Sequence, residues 1–256
     1  MITSAQNQHL KLIRRLESRA QRARLGLFVV EGEDVVEAAL EAGVQPVVAL
    51  VDDERPVLER RLKNVEQCLG KLLGEVSLLA HPPRVIAIYR EADLPELDVQ
   101  ALKAARAAGT PGSMALPSVG LALWHVGDPG NVGTLVRACD ALGPAFIALS
   151  EGCADPSGPK VLRSSTGSAF RVPRCSFEDA PGRRIGLVPR AGKVLSELKL
   201  APGDIFVLGA ERAGLPDNVR RSCDLLAEIP LAGAAESLNV AMAGTIALYE
   251  WSRQRL

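Results

Sequence analysis

Val119-Gly-Leu-Ala-Leu-Trp-His-Val126, followed after one residue by Asp128-Pro-Gly-Asn-Val-Gly-Thr-Leu-Val-Arg137-Ala-Cys-Asp-Ala-Leu-Gly143, decides the fold. The first part is an apolar strand. In the second, Val132, Leu135, Val136 and Cys139 recur at i, i+3, i+4 and i+7, the stripe of a helix. Ala145–Leu149 is again an apolar strand. Strand, glycine turn, helix and strand make the unit of a mostly parallel sheet covered on both faces, an α/β fold. The rhythm continues through Arg184–Val188, Ile205–Leu208 and Leu225–Ile229 as strands, and Asn239–Arg255 as a final helix.

Upstream, Leu10–Leu25 reads as one helix. Leu27–Val30 and Val47–Val51 read as strands, Val35–Ala42 as a helix stopped by Gly43, and Val85–Tyr89 as a further strand. Residues 98–118 are rich in Ala, Gly and Pro and read as a linker. The expected organisation is a small α/β domain over 1–97, a linker over 98–118 and a larger α/β domain over 119–256.

The chain carries 30 Lys+Arg and 30 Asp+Glu, so its formal charge is zero. Taken whole, that argues against a nucleic-acid partner. The charge is segregated, however. Residues 1–30 hold six basic side chains and one acid, residues 31–60 nine acids and two Arg, and residues 160–193 eight basic side chains and two acids. A local basic stripe attracts phosphate whatever the molecule sums to, because screening acts over only about 8 Å. Five cysteines without paired spacing argue against a disulfide framework or a cysteine-based zinc site, so no metal is expected. No segment is long and apolar enough for a membrane span, and none opens the chain as a secretion signal. A cytoplasmic location is the expectation.

Three glycine-containing segments carry the chemistry. The first holds Asn131, a good helix cap, and Arg137, which points about 140° away from Val132 around the helix. It is neither a dinucleotide fingerprint nor a P-loop. The second is Phe206-Val-Leu-Gly209-Ala-Glu211-Arg-Ala-Gly214-Leu-Pro216, a strand ending in a turn with one carboxylate. The third is Ile229-Pro-Leu-Ala-Gly233-Ala-Ala-Glu-Ser237-Leu-Asn239-Val240, a glycine loop entering the last helix. Singly, each is also an ordinary surface residue, corner or cap.

Together and in this order they resemble the SpoU (TrmH) family of S-adenosylmethionine-dependent RNA 2′-O-ribose methyltransferases. Glu151–Pro173 is similar to the same family. So is the N-terminal Ile2-Thr-Ser with Asn7, Lys11 and Phe28-Val-Val-Glu-Gly32, which is similar to the substrate-binding domain of rRNA-methylating members, with a fold like ribosomal protein L30. The resemblance implies a C-terminal trefoil-knotted domain and a homodimer built on it. It places S-adenosylmethionine against Leu208, Gly209, Ala210, Ile229, Leu231, Ser237 and Leu238, and catalysis on Arg137 with Asn131, Glu211, Ser237 and Asn239. Lys11, Arg14, Arg15, Lys160, Arg163 and Arg171 are the candidates for RNA phosphates.

Large-subunit rRNA is the first expected substrate and tRNA the second. A base methyltransferase, or a non-catalytic RNA-binding or ribosome-assembly protein on the same fold, are the alternatives. The scarcity of aromatics, 4% of the chain, argues against base stacking as the main mode of recognition. His9, His81 and His125 lie outside the three segments and read as structural or surface residues. Trp124-His125 stands where the family more often shows a small acidic or polar pair.

Overall fold

The structure is a computed structural model, and it describes residues 1–107, 117–190 and 192–255. The chain runs α1 (Gln8–Leu16), α2 (Arg19–Leu25), β1 (Leu27–Glu31), α3 (Glu33–Glu41), β2 (Val48–Asp52), β3 (Val65–Cys68), α4 (Gly70–Val76) and β4 (Val85–Arg90). It continues with α5 (Val99–Ala107), β5 (Val119–Leu123), α6 (Pro129–Leu142), β6 (Ala145–Leu149), α7 (Pro159–Ser165), β7 (Arg174–Ser176), β8 (Arg183–Leu187) and β9 (Lys193–Val194). Last come β10 (Asp204–Leu208), α8 (Asp217–Arg221), β11 (Leu225–Glu228) and α9 (Val240–Arg253). Contacts divide it into two units: Met1–Pro95 with Asp155–Arg171, and Glu96–Ala154 with Val172–Leu256.

The first unit is a four-stranded sheet in the order β1-β4-β2-β3, with β2 and β3 parallel and the other pairs antiparallel. Its strands alternate between two apolar layers, as the two-residue period of a strand demands. Phe28, Val30, Val51, Ala87 and Tyr89 face α3 and, from later in the chain, Leu162 of α7 and Phe170. Val29, Leu50, Ile86 and Ile88 face Leu10, Ile13 and Leu16 of α1 and Leu72 and Leu73 of α4. The sequence reading placed residues 155–171 with the C-terminal domain. The burial of Leu162 and Phe170 in this core shows why the structure groups them here. Such pairing across sequence leaves no local periodic signal.

Tyr89 is fully buried between Phe28 and Phe170, with ring centroids 5.8 and 5.1 Å away. Its hydroxyl has no hydrogen-bond partner among the described residues, and burial pushes its pKa up. A buried donor left unpaired costs about 1–3 kcal/mol. Tyr89→Phe is therefore expected to leave stability unchanged or raise it by about 1 kcal/mol, read as a higher urea midpoint at unchanged slope.

The helix expected over Leu10–Leu25 is two helices. Ser18 is extended (φ −78°, ψ 126°), and α2 restarts after it. Arg22, 4% exposed, folds back so that Nη1 donates to the carbonyls of Leu16 and Glu17, each at 2.8 Å. These are the orphan acceptors at the end of α1. The same guanidinium meets the Asp155 carboxylate through Nη2 at 2.6 Å and Nε at 3.1 Å. One of the six basic residues that gave the N-terminus its charge is thus spent internally.

The second unit is a wholly parallel seven-stranded sheet in the order β7-β6-β5-β10-β8-β11-β9. Its core includes Ala122, Phe146, Ala148, Ile205 and Val207, and α9 packs beside α6. The stretch expected to be a linker contributes α5 instead. Asp98 caps it, accepting from the Ala101 N–H at 2.8 Å, and Leu102 is buried in this core. Alanine is the best helix former, so composition that looked like a linker is also helix composition. The remainder of that stretch, 108–116, lies outside the described residues. No described helix is long and apolar enough to cross a membrane.

Candidate active site at the C-terminal edge of the parallel sheet

Parallel strands end on one edge, and the segments after β5, β10 and β11 all leave from it. Ligands of open α/β sheets collect there. β5 and β10 are adjacent, and the Trp124 N–H donates to the Leu208 carbonyl at 2.8 Å just past the ladder.

Asp128, not Asn131, caps α6. Its carboxylate accepts from the Asn131 N–H at 2.9 Å, with Pro129 at the first helical position. The signal was legible as Asp-Pro before an apolar stripe. Asn131 is freed for other work. Its Nδ2 donates to Glu211 Oε1 at 3.0 Å, and its Oδ1 accepts from Asn239 Nδ2 at 3.0 Å. Asn239 Oδ1 meanwhile caps α9, accepting from the N–H groups of Ala241 at 2.8 Å and Met242 at 3.3 Å. An amide from the first glycine segment, a carboxylate from the second and an amide from the third therefore form a continuous network, with Asn131 in the middle.

Glu211 also accepts from the N–H groups of Asp128 at 3.1 Å and Gly127 at 3.4 Å. Partial burial pushes its carboxyl up. The hydrogen bonds from Asn131 and the main chain outweigh that and hold it below the ordinary carboxylate range. Glu211 is thus an ionised clamp between loops with its lone pairs engaged. It is a poor proton acceptor for chemistry.

Its turn is tight. Gly209 lies so close to the next strand of the turn that a Cβ there would be 2.2 Å from the Gly214 carbonyl carbon and 2.4 Å from the Leu215 nitrogen. The Gly214 N–H donates to the Ala210 carbonyl at 2.9 Å, and Gly214 sits at φ +65°. Gly209→Ala is expected to open this turn and lose the ligand-binding edge. Calorimetric titration of the ligand, with circular dichroism to confirm the fold, checks it.

Arg137 is exposed on α6, six residues and about 120° from Asn131. It makes no hydrogen bond or ion pair with the described residues. Ser237 is exposed and likewise makes no side-chain hydrogen bond. The structure thus joins Asn131, Glu211 and Asn239 directly and leaves Arg137 and Ser237 available.

The candidates for cofactor contact follow the same edge. Leu208 is buried, Gly209, Ala210, Ile229, Leu231 and Leu238 are half-buried, and Ser237 is exposed. From Pro230 to Leu238 the main chain makes a single hydrogen bond among the described residues, from Arg190 Nη2 to the Ala235 carbonyl at 3.3 Å. N–H donors and C=O acceptors left unpaired among the described residues, beside half-buried aliphatic side chains, are what is needed to hold a group carrying an apolar ring system and polar edges.

The six phosphate candidates fall in one unit. Lys11, Arg14, Arg15, Lys160, Arg163 and Arg171 all belong to the N-terminal one, and all are exposed. Arg14 contacts the Ala5 carbonyl at 3.3 Å and Glu75 at 4.0 Å, and Arg15 contacts Gln21 at 3.4 Å. Exposed contacts of that kind are weak enough to exchange for phosphate.

Comparison with known proteins places these features. Residues 118–249 match the SpoU rRNA Methylase family, and residues 7–87 match the MRM3-like substrate binding domain. The chain is 31% identical to the 23S rRNA (guanosine(2553)-2′-O)-methyltransferase RlmP of Bacillus subtilis, over 97% of each chain. It is 30% identical to a 23S rRNA (uridine(2479)-2′-O)-methyltransferase of Streptomyces viridochromogenes, over 94% of this chain and 88% of that one. An AdoMet-bound rRNA methyltransferase from Sinorhizobium meliloti superposes with a TM-score of 0.83 at 28% identity, covering 100% of this chain and 98% of the other. A family match over more than half the chain, with full-length relatives at this identity, makes the protein a member of the SpoU rRNA methylase family.

Proposed function

We propose that the protein transfers a methyl group from S-adenosylmethionine to a ribose 2′-hydroxyl of large-subunit rRNA. The observation that carries this is the Asn131–Glu211–Asn239 network, which ties the three family segments into one site beside the unpaired loop 230–238. The full-length relatives named above act on 23S rRNA ribose. That both act on 23S rRNA favours rRNA over tRNA.

The cofactor supplies an activated methyl group. The protein's residues orient the acceptor and manage its proton. Leu208, Gly209, Ala210, Ile229, Leu231, Ser237 and Leu238 would hold the cofactor. Asn131, Asn239 and Ser237 position the ribose. Arg137 is free to reach the acceptor. A guanidinium has a pKa above about 12 and cannot take the proton. It lowers the cost of charge on the hydroxyl oxygen or fixes the adjoining phosphate. Glu211, already clamped, does not take the proton either, which leaves substrate phosphate or water.

The same reading assigns RNA backbone binding to Lys11, Arg14, Arg15, Lys160, Arg163 and Arg171, a trefoil knot to the C-terminal domain, and a cytoplasmic setting. Free thiols fit a reducing compartment: Cys68, Cys139 and Cys153 are buried, and burial pushes Cys68 up to about 11. It also includes a homodimer. On α9, Met242, Ile246 and Tyr249 are 62%, 39% and 55% exposed at i, i+4 and i+7, an apolar stripe with no cover in one chain. Ile246→Glu is expected to halve the mass seen by light scattering.

The test uses methyl-labelled S-adenosylmethionine with large-subunit rRNA, tRNA and no RNA. Label in rRNA that protects one linkage from alkali is expected. Label in a base, or in tRNA alone, would replace this reading.

A further inference from the structure

At the end of β5, beside the site, His125 has φ +52°, a left-handed conformation that side chains adopt at a strain. Its imidazole stacks on Trp124, with centroids 4.8 Å apart and planes at 18°. Trp124 in turn lies edge-on to buried Phe177 at 5.2 Å and packs against the core. The backbone is held from both sides. The Trp124 N–H donates to Leu208, and the His125 N–H donates to Ser150 Oγ at 2.9 Å. A Cβ at Gly152 would stand 3.2 to 3.5 Å from Nδ1, Cγ and Cε1 of the ring, so Gly152 passes close beside the imidazole and a larger residue there would crowd it.

Trp124 holds one side of the ring, but no hydrogen bond holds its polar edge. His125 is exposed, and neither ring nitrogen has a partner among the described residues. A histidine in strained backbone, backed by an anchored indole and unpaired at its polar edge, is a platform built for something outside the chain. Two residues on, the Gly127 N–H donates to Glu211 within the network that positions the acceptor.

We propose that His125, backed by Trp124, is a specificity-determining residue that stacks against an unpaired RNA base next to the reacting ribose. Unstacked bases are what RNA-binding proteins capture on aromatic rings, histidine included. The inference rests on the RNA methylation proposed above. It places one local stacking contact within a chain otherwise poor in aromatics.

The test measures methylation of large-subunit rRNA by His125→Gly, His125→Ala and His125→Phe, with S-adenosylmethionine binding followed separately. Glycine relieves the strain, so a purely structural histidine predicts a variant at least as stable with an unchanged KM for RNA. The proposal predicts an equally or more stable His125→Gly whose KM for RNA rises about tenfold, the scale of one lost base–ring contact. Cofactor affinity stays unchanged, His125→Ala behaves like glycine, and His125→Phe returns KM to within about threefold of wild type. A glycine variant with wild-type KM for RNA, or a phenylalanine variant as impaired as glycine, overturns it. If the wild-type protein methylates no ribose, the proposed function fails instead.

Discussion

Arg137→Ala is expected to lower methylation by at least about 10²–10³-fold while leaving the protein folded, the scale of removing one preorganised donor from developing charge. The structural reasons are specific. Arg137 is exposed on α6 and bonded to no described residue, so its loss breaks no internal contact. Its neighbours Val136 and Ala138 remain buried, and the helix keeps its Asp128 cap. Alanine is also the better helix former. Melting temperature and cofactor affinity should therefore match wild type. Arg137→Lys keeps the charge without the planar fork and is expected to recover only part of the activity. An Arg137→Ala protein with normal turnover would move catalysis elsewhere in the site.

Asp155→Ala is expected to destabilise the N-terminal unit by about 3–5 kcal/mol, the scale of stranding one member of a buried ion pair. Arg22 would keep its bonds to Leu16 and Glu17 but lose its counter-charge in a site where its own side chain is 5% exposed and Asp155's 14%. Ser157 would lose its acceptor as well, since its N–H and hydroxyl both donate to Asp155, at 3.0 and 2.8 Å. Urea denaturation gives the magnitude. Adding Arg22→Met should restore part of it, because the stranded charge is then gone.

The sign with pH follows from the same contacts. Burial pushes the Asp155 carboxyl up, but the hydrogen bonds from Arg22 and Ser157 outweigh that and hold it below its ordinary value. The stabilisation is complete above the unfolded carboxylate pKa and is lost as pH falls through the lower folded value. Wild-type stability should fall on acidification across that window. The Asp155→Ala slope should be flatter.

What could be read in the sequence was what is local. Apolar runs such as Leu27–Val30, Ala145–Leu149 and Ile205–Leu208 announce strands because burial on both faces leaves no polar position. The α6 stripe announces a helix because one face is buried while Thr134 and Arg137 stay exposed. What escaped reading depends on partners far along the chain. The break at Ser18 rests on Arg22, which satisfies carbonyls of the preceding helix while Asp155, 133 residues on, takes its charge. Residues 155–171 join the N-terminal core through Leu162 and Phe170. Composition misled at α5, where alanines form a helix once Leu102 has a core to enter.

The site divides in the same way. Asn131, Glu211 and Asn239 stand out by position in three glycine segments, yet no spacing shows that the Asn131 amide bridges the other two. Asn131 looked like a cap because capping and site-building draw on the same residue types. Only Asp128 taking the cap shows which task Asn131 performs. Trp124-His125 stood out only as a departure from the family pattern, since a positive φ outside glycine cannot be read from side-chain pattern.

The account's central claim is tested most directly by mapping 2′-O-methylated nucleotides in large-subunit rRNA from cells with the protein, without it, and with only the Arg137→Ala form. The account predicts one ribose position protected from alkaline cleavage with the wild-type protein and unprotected in the other two. An identical rRNA methylation map in all three, or protection retained with Arg137→Ala, would contradict it.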